Sequence, residues 1–104
     1  MAQVIWTEPA LSDLDAIGDY IALQNPDAAA SLIARIFEYV GQLEAHPDSG
    51  SKLVELKRSR YRQIVEPPCR VIYRCDDKSA FILHVLRSER LLRPARLRRK
   101  SKSP

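Results

Sequence analysis

Residues 70–75, RVIYRC, constrain this chain more than any other stretch, because a strict two-residue alternation is the mark of a strand with unlike faces. Val71, Tyr73 and Cys75 share one face; Arg70, Ile72 and Arg74 share the other. Asp76, Asp77, Lys78 and Ser79 then predict a turn. Residues 80–86, AFILHVL, are apolar except for His84, as expected of a strand covered on both sides. The two strands form a central hairpin that runs directly into Arg87, Ser88, Glu89 and Arg90, so an otherwise apolar sheet delivers cationic side chains at its exit.

The segments before this hairpin have to cover it. Gln3 to Trp6 favours an N-terminal strand that adds to the sheet. Thr7 is a natural N-cap, Glu8 and Pro9 suit a first helical turn, and Ala10, Leu14, Ile17 and Ile21 make an apolar stripe that predicts a helix ending near Gln24. Asn25, Pro26 and Asp27 start a second helix, in which Ala29, Ile33, Ile36, Val40 and Leu43 recur at four- and three-residue steps, widened by Leu32 and Phe37. Two amphipathic helices with almost no loop between them make an antiparallel hairpin whose apolar faces need a sheet. Pro47, Asp48, Ser49 and Gly50 end the second helix, a short strand is expected over residues 53–56 and another over residues 61–65, and Pro67 and Pro68 break the ladder before Arg70. The expected fold class is α+β: an N-terminal strand and an antiparallel helical hairpin packed on a small, mainly antiparallel β-sheet. Residues 1–93 form a single domain, and residues 94–104 are expected to be a basic, flexible C-terminal tail.

A length of 104 residues supports one core of two packed layers. Charge is segregated along it: residues 1–50 carry one Arg against eight acids, residues 51–104 sixteen Lys or Arg against five acids. A basic half of that strength favours an anionic partner, either nucleic acid or an acidic protein segment. Cys69 and Cys75 lie six residues apart on one strand, roughly 20 Å at about 3.3 Å per residue, too far for a disulfide. With no signal peptide and no long apolar run, a cytoplasmic location with reduced thiols and no membrane contact is expected.

The element order, together with Trp6, Ala10, Asp13, Leu14, Ile17, Tyr20, Ile21, Asn25, Pro26, Ala28 and Ala29, resembles the RelE/ParE superfamily of toxins from bacterial type II toxin-antitoxin modules. Glu55, Leu56, the Arg60-Tyr61-Arg62 run, RVIYR over residues 70–74 and ILHVLR over residues 82–87 are similar to that superfamily's sheet, and to its ParE branch in particular. The resemblance covers residues 3–92. It implies a cognate ParD-like antitoxin, with a segment that folds along the toxin as it binds. It also implies one of two harmful activities: RelE-like members cut mRNA on the ribosome, while ParE-like members inhibit DNA gyrase by direct binding, with an indirect contact to DNA through gyrase or the antitoxin.

Residue chemistry favours the second activity. Cleaving RNA through a 2′-hydroxyl needs a base, an acid and cations around the phosphate, and arginine supplies only the cations. RelE-like enzymes are described with lysines and arginines on the sheet and a late tyrosine; here Arg87 and Lys57 match such positions, but no tyrosine follows Tyr73. The nuclease alternative therefore rests on Arg70, Arg74, His84 and Arg87, and the preferred reading assigns no catalytic residue. Candidate target-binding residues are Arg60, Arg62, Arg70, Arg74, Arg87 and Arg90, since arginine recognises carboxylate and phosphate bidentately. Candidate antitoxin-binding residues are Tyr20, Leu23, Leu32 and Arg35, expected at the exposed border of the helical hairpin. Asp13, Asp15 and Asp19 read as the solvent side of the first helix, and Trp6 and Tyr20 as packing residues. No cofactor and no metal are expected, because no His, Cys or acidic spacing resembles a ligand set. A third reading, a non-toxic basic nucleic-acid-binding module, shares the same charge pattern.

Overall fold

Both helices start where a polar side chain can satisfy free backbone donors. In the computed structural model, which describes residues 2–56 and 58–88, helix α1 spans Glu8–Ala22 and helix α2 spans Pro26–Gly41. Asn25 Oδ1 accepts from the Ala28 N–H at 3.0 Å. Thr7 Oγ1 accepts from the Ala10 N–H at 3.4 Å and donates to the Ile82 carbonyl at 2.6 Å, so one hydroxyl caps α1 and ties it to the sheet. The helices come together at Gly18, where an added Cβ would stand 2.8 Å from Ile33 Cδ1. A single 3₁₀ turn, Gln42–Glu44, follows α2.

Five strands, β1 (Gln3–Trp6), β2 (Ser51–Lys52), β3 (Tyr61–Glu66), β4 (Cys69–Cys75) and β5 (Ser79–Arg87), form one sheet in the order β1-β5-β4-β3-β2. Among the described residues only the β1–β5 pairing is parallel, which makes the sheet mainly antiparallel as the sequence implies. The strand expected over residues 53–56 is displaced. Pairing occurs instead at Ser51 and Lys52, against Gln63 and Arg62. Leu53 then turns inward to full burial and the Leu56 N–H bonds back to the Leu53 carbonyl, so the chain leaves the ladder to cover the sheet.

The alternation of β4 holds in three dimensions. Val71, Tyr73 and Cys75 meet the helices in a core with Ala10, Leu14, Ile36, Val40, Leu43 and Ile82. Ile72 faces the other way, into a smaller cluster with Leu53, Leu83 and Leu86, edged by Leu56, Tyr61 and Phe81. Leu32 belongs to the helix-side core at 2% exposure, which corrects its expected place among the exposed antitoxin-binding candidates: the apolar stripe of α2 is wide enough to include it. Tyr73 also locks the loop after α2, its hydroxyl accepting from the Gly50 N–H at 2.9 Å and donating to the Pro47 carbonyl at 3.0 Å. An added Cβ at Gly50 would lie 2.5 Å from that hydroxyl, so only glycine allows this approach. The expected tail over residues 94–104 lies outside the described residues.

Candidate functional site

The arginines proposed as one constellation divide between the two faces of the sheet. Arg70 and Arg74 sit on the face away from the helices, and both are buried rather than presented to solvent, Arg70 against Glu55 and Arg74 between the register positions of Tyr61 and Phe81. Arg70 is neutralised within the chain: its Nη1 donates to Glu55 Oε1 at 3.1 Å and to Gln63 Oε1 at 2.9 Å, and Nη2 pairs with Glu55 Oε2. The guanidinium of Arg74 lies over the Phe81 ring, 5.3 Å from its centroid. Neither offers the open cationic face expected of it, because an irregular segment covers that side of β4.

Arg62 stands in register with Tyr73, hence on the helix side, and its Nη1 donates to the Gly50 carbonyl at 2.8 Å. That bond adds to the clamp on the loop after α2. Arg60 is exposed just before β3, and Arg90, like Lys57, lies outside the described residues. Arg87 is exposed at the end of β5, its guanidinium 5.9 Å from the centre of the Tyr20 ring of α1.

Asp13 has a role that reading α1 as a simple amphipathic helix misses. Between β4 and β5 the register shifts by one: Ile72 pairs with His84 and Tyr73 with Ile82, which leaves Leu83 as the extra residue of a bulge. His84 and Val85 then both turn toward α1. The Val85 N–H donates to Asp13 Oδ2 at 3.2 Å, and His84 Nδ1 lies 2.9 Å from the same oxygen. Asp13 therefore belongs to the joint between helix and sheet, not to a purely solvent face. His84 is fully buried, in keeping with a core histidine and without the access that proton transfer to RNA requires. Nothing local to residues 82–85 announces the bulge; the histidine inside an apolar run was the one available signal.

Beside this joint a cleft of about 440 Å³ opens between α1 and the ends of β4 and β5, lined by Asp13, Ile17, Tyr20, Ile21, Leu86 and Arg87 among others. Tyr20 is 64% exposed at its rim, so it is no core residue, and Leu23 at the end of α1 is 83% exposed. Trp6 packs against Phe37 with ring centroids 4.8 Å apart. Arg35, half-exposed on α2, pairs with Glu66 of β3 at 2.7 Å. The two cysteines stand at opposite ends of β4 and are not joined in a disulfide. Burial raises the pKa of the Cys75 thiol, assisted by Asp48, and burial likewise raises that of Tyr73, so neither is poised as an anion. Among the described residues no three His, Cys, Asp or Glu side chains gather where they could hold a metal, and no helix is long and apolar enough to cross a membrane.

This architecture is shared with solved toxin-antitoxin proteins. A chain from the chromosomal ParDE system of P. aeruginosa superposes with a TM-score of 0.70 at 30% identity, over 86% of this chain and 98% of that one. A chain of the RelBE2 toxin-antitoxin complex of Mycobacterium tuberculosis shares the fold at 24% identity, with a TM-score of 0.56 over 83% and 96% of the two chains. In sequence, Toxin RelE2 of Caulobacter vibrioides is 34% identical over 91 residues, 88% of this chain and all of the relative. These similarities define a toxin of the RelE/ParE superfamily. Residues 4–92 match the model of the ParE toxin of the type II toxin-antitoxin system parDE, and the chain belongs to that family.

Proposed function

We propose that this toxin inhibits DNA gyrase by direct binding, performs no catalysis of its own, and is neutralised in the cytoplasm by a cognate ParD-like antitoxin. The observation that carries this reading is the fate of the nuclease alternative's residues. Arg70 is buried in a pair with Glu55, Arg74 is buried against Phe81, and His84 is enclosed against Asp13. Of that set only Arg87 meets solvent, and the last tyrosine of the chain, Tyr73, is a buried structural clamp. One accessible arginine cannot supply the base, acid and phosphate clamp of RNA cleavage.

The exposed cations that remain, Arg60, part-exposed Arg62 and Arg87, are suited to contacting a protein or nucleoprotein surface. An antitoxin segment that folds on binding has an apolar anchor at Tyr20 and Leu23 and a polar one at Arg35. The known names do not separate the two activities, since the relatives include both a ParDE and a RelE2 protein.

Purified toxin is expected to block gyrase supercoiling at stoichiometric levels and to leave ribosome-bound mRNA intact. Codon-positioned cuts in the message with supercoiling unaffected would reverse the assignment. Arg87→Ala is expected to change stability by less than about 1 kcal/mol, because the side chain is exposed, while weakening gyrase inhibition. Full inhibition by the folded variant would move the target surface away from the Arg87 end of the sheet.

A further inference from the structure

Arg70 and Arg74 occupy equivalent positions four residues apart on one face of β4, yet the chain gives only one of them a carboxylate. Arg70 receives a bidentate carboxylate from Glu55 and an amide oxygen from Gln63. Arg74 is withdrawn to 7% exposure, and among the described residues its guanidinium has no carboxylate, carbonyl or hydroxyl partner. The Nε of each arginine is buried without a hydrogen bond, but Arg74 has only the ring of Phe81 beside its guanidinium, with Phe81 opposite it on β5 and Tyr61 on β3. A ring face compensates a desolvated guanidinium only in part; a buried charge of this kind is ordinarily completed by an anion.

We propose that Arg74 is the floor of a carboxylate-binding recess, filled by a glutamate or aspartate side chain from an acidic segment of a partner protein. Arg70 shows what this face accepts: a planar fork closed by a planar carboxylate beneath an apolar cover. Access to Arg74 is narrow, since the residue is 7% exposed and Tyr61 and Phe81 stand at the register positions on either side. A carboxylate on a slim side-chain stem reaches it directly. A nucleic-acid phosphate carries a sugar on either side and would have to part the two rings. The strongly basic second half of the chain, with sixteen Lys or Arg against five acids, draws an acidic segment toward the site. This inference does not depend on gyrase being the target.

The test follows the arginine Nε–H signals of the ¹⁵N-labelled toxin by NMR at constant ionic strength. The probe is a capped Ala-Glu-Ala tripeptide, compared with its Ala-Gln-Ala counterpart and with inorganic phosphate. The Arg74 signal is expected to shift saturably with the glutamyl peptide and not with the glutaminyl one. Arg74→Lys, followed through the Tyr61 and Phe81 amides, is expected to bind the glutamyl peptide roughly tenfold more weakly, because a point ammonium cannot replace the fork. Equal shifts with both peptides would overturn the site, and tighter saturation by phosphate would overturn its carboxylate specificity. A second variant guards against a misfolded first one. Arg74→Met is expected to keep or raise the melting temperature, whereas a drop as large as that of Arg70→Met would mean that Arg74 is already satisfied within the fold.

Discussion

Over β4 and β5 the helix-facing and outward sides of the sheet are both covered, but by different means. On the helix side α1 and α2 lay regular apolar stripes against Val71, Tyr73, Ile82 and Val85, and the result is one continuous core. On the outward side a turn-rich segment covers Ile72, Leu83 and Leu86 with Leu53 and Leu56, and its Glu55 pairs with the buried Arg70. Regular elements bury area with their backbone bonds already satisfied. An irregular cover has to find partners for polar groups one at a time, which is why an ion pair sits at the centre of that side.

The largest expected effect tests whether the helix layer is the stiffer cover. Ile36→Ala should destabilise the protein by about 3–5 kcal/mol in urea unfolding, because two packed helices cannot collapse into the cavity, and Leu53→Ala by about 2–3 kcal/mol, because a turn segment can. Equal losses would mean that the outward cover is as rigid as the helices. Next is Glu55→Gln, expected at about 3 kcal/mol since it strands Arg70 in a buried site; a loss well under 1 kcal/mol would show that water or Gln63 suffices there. Asp13→Ala removes the acceptor of the Val85 N–H at the bulge and should cost about 2 kcal/mol. Faster amide exchange confined to residues around Val85 is its accompanying signature, and unchanged exchange would remove Asp13 from the joint.

The smallest effect is alkaline. Cys75 and Tyr73 have ordinary values of 9.0 and 10.0 and both are raised, chiefly by burial, so the folded state holds protons that the unfolded state releases. Their contribution is complete below those values and is lost as pH rises through the higher folded ones. Stability measured from about pH 8 to about pH 11 should therefore decline, and Tyr73→Phe should flatten the upper part of that decline. An upward slope would contradict the assigned direction.

How much of this was legible depends on whether the responsible physics is local. Thr7, Asn25 and Pro26 act on their own turns, and the alternation of residues 70–75 requires only an unbroken strand, so the caps, helices and hairpin are readable in order. The His84–Asp13 contact is not, because it joins residues far apart in the chain and nothing local to either one names its partner. The burial of Arg70 and Arg74 was hidden for another reason: residues 53–56 resemble a short strand, and as a strand they would have left that face bare. Leu32 lies at the edge of its stripe, where periodicity alone does not separate buried from exposed. Arg60, Arg62 and Arg87 do carry charge at the surface, but on different parts of the molecule.

The parallel pairing of β1 with β5 sets an order on how the toxin comes into being. Gln3 pairs with Ser79 and Trp6 with Ile82, and the Thr7 hydroxyl holds the Ile82 carbonyl, so the first strand to leave the ribosome is seated by the last strand among the described residues. At about 5–20 residues per second that interval is on the order of 4–15 s, while a helical hairpin forms far sooner. During that time α1 and α2 have no sheet to lie on. Any message cut short before codon 79 yields chains that lack β5, the strand between β1 and β4, and can close neither the sheet nor the cleft beside Arg87. The topology thus makes translation through β5 a condition for a closed sheet, a check that operates without any second protein.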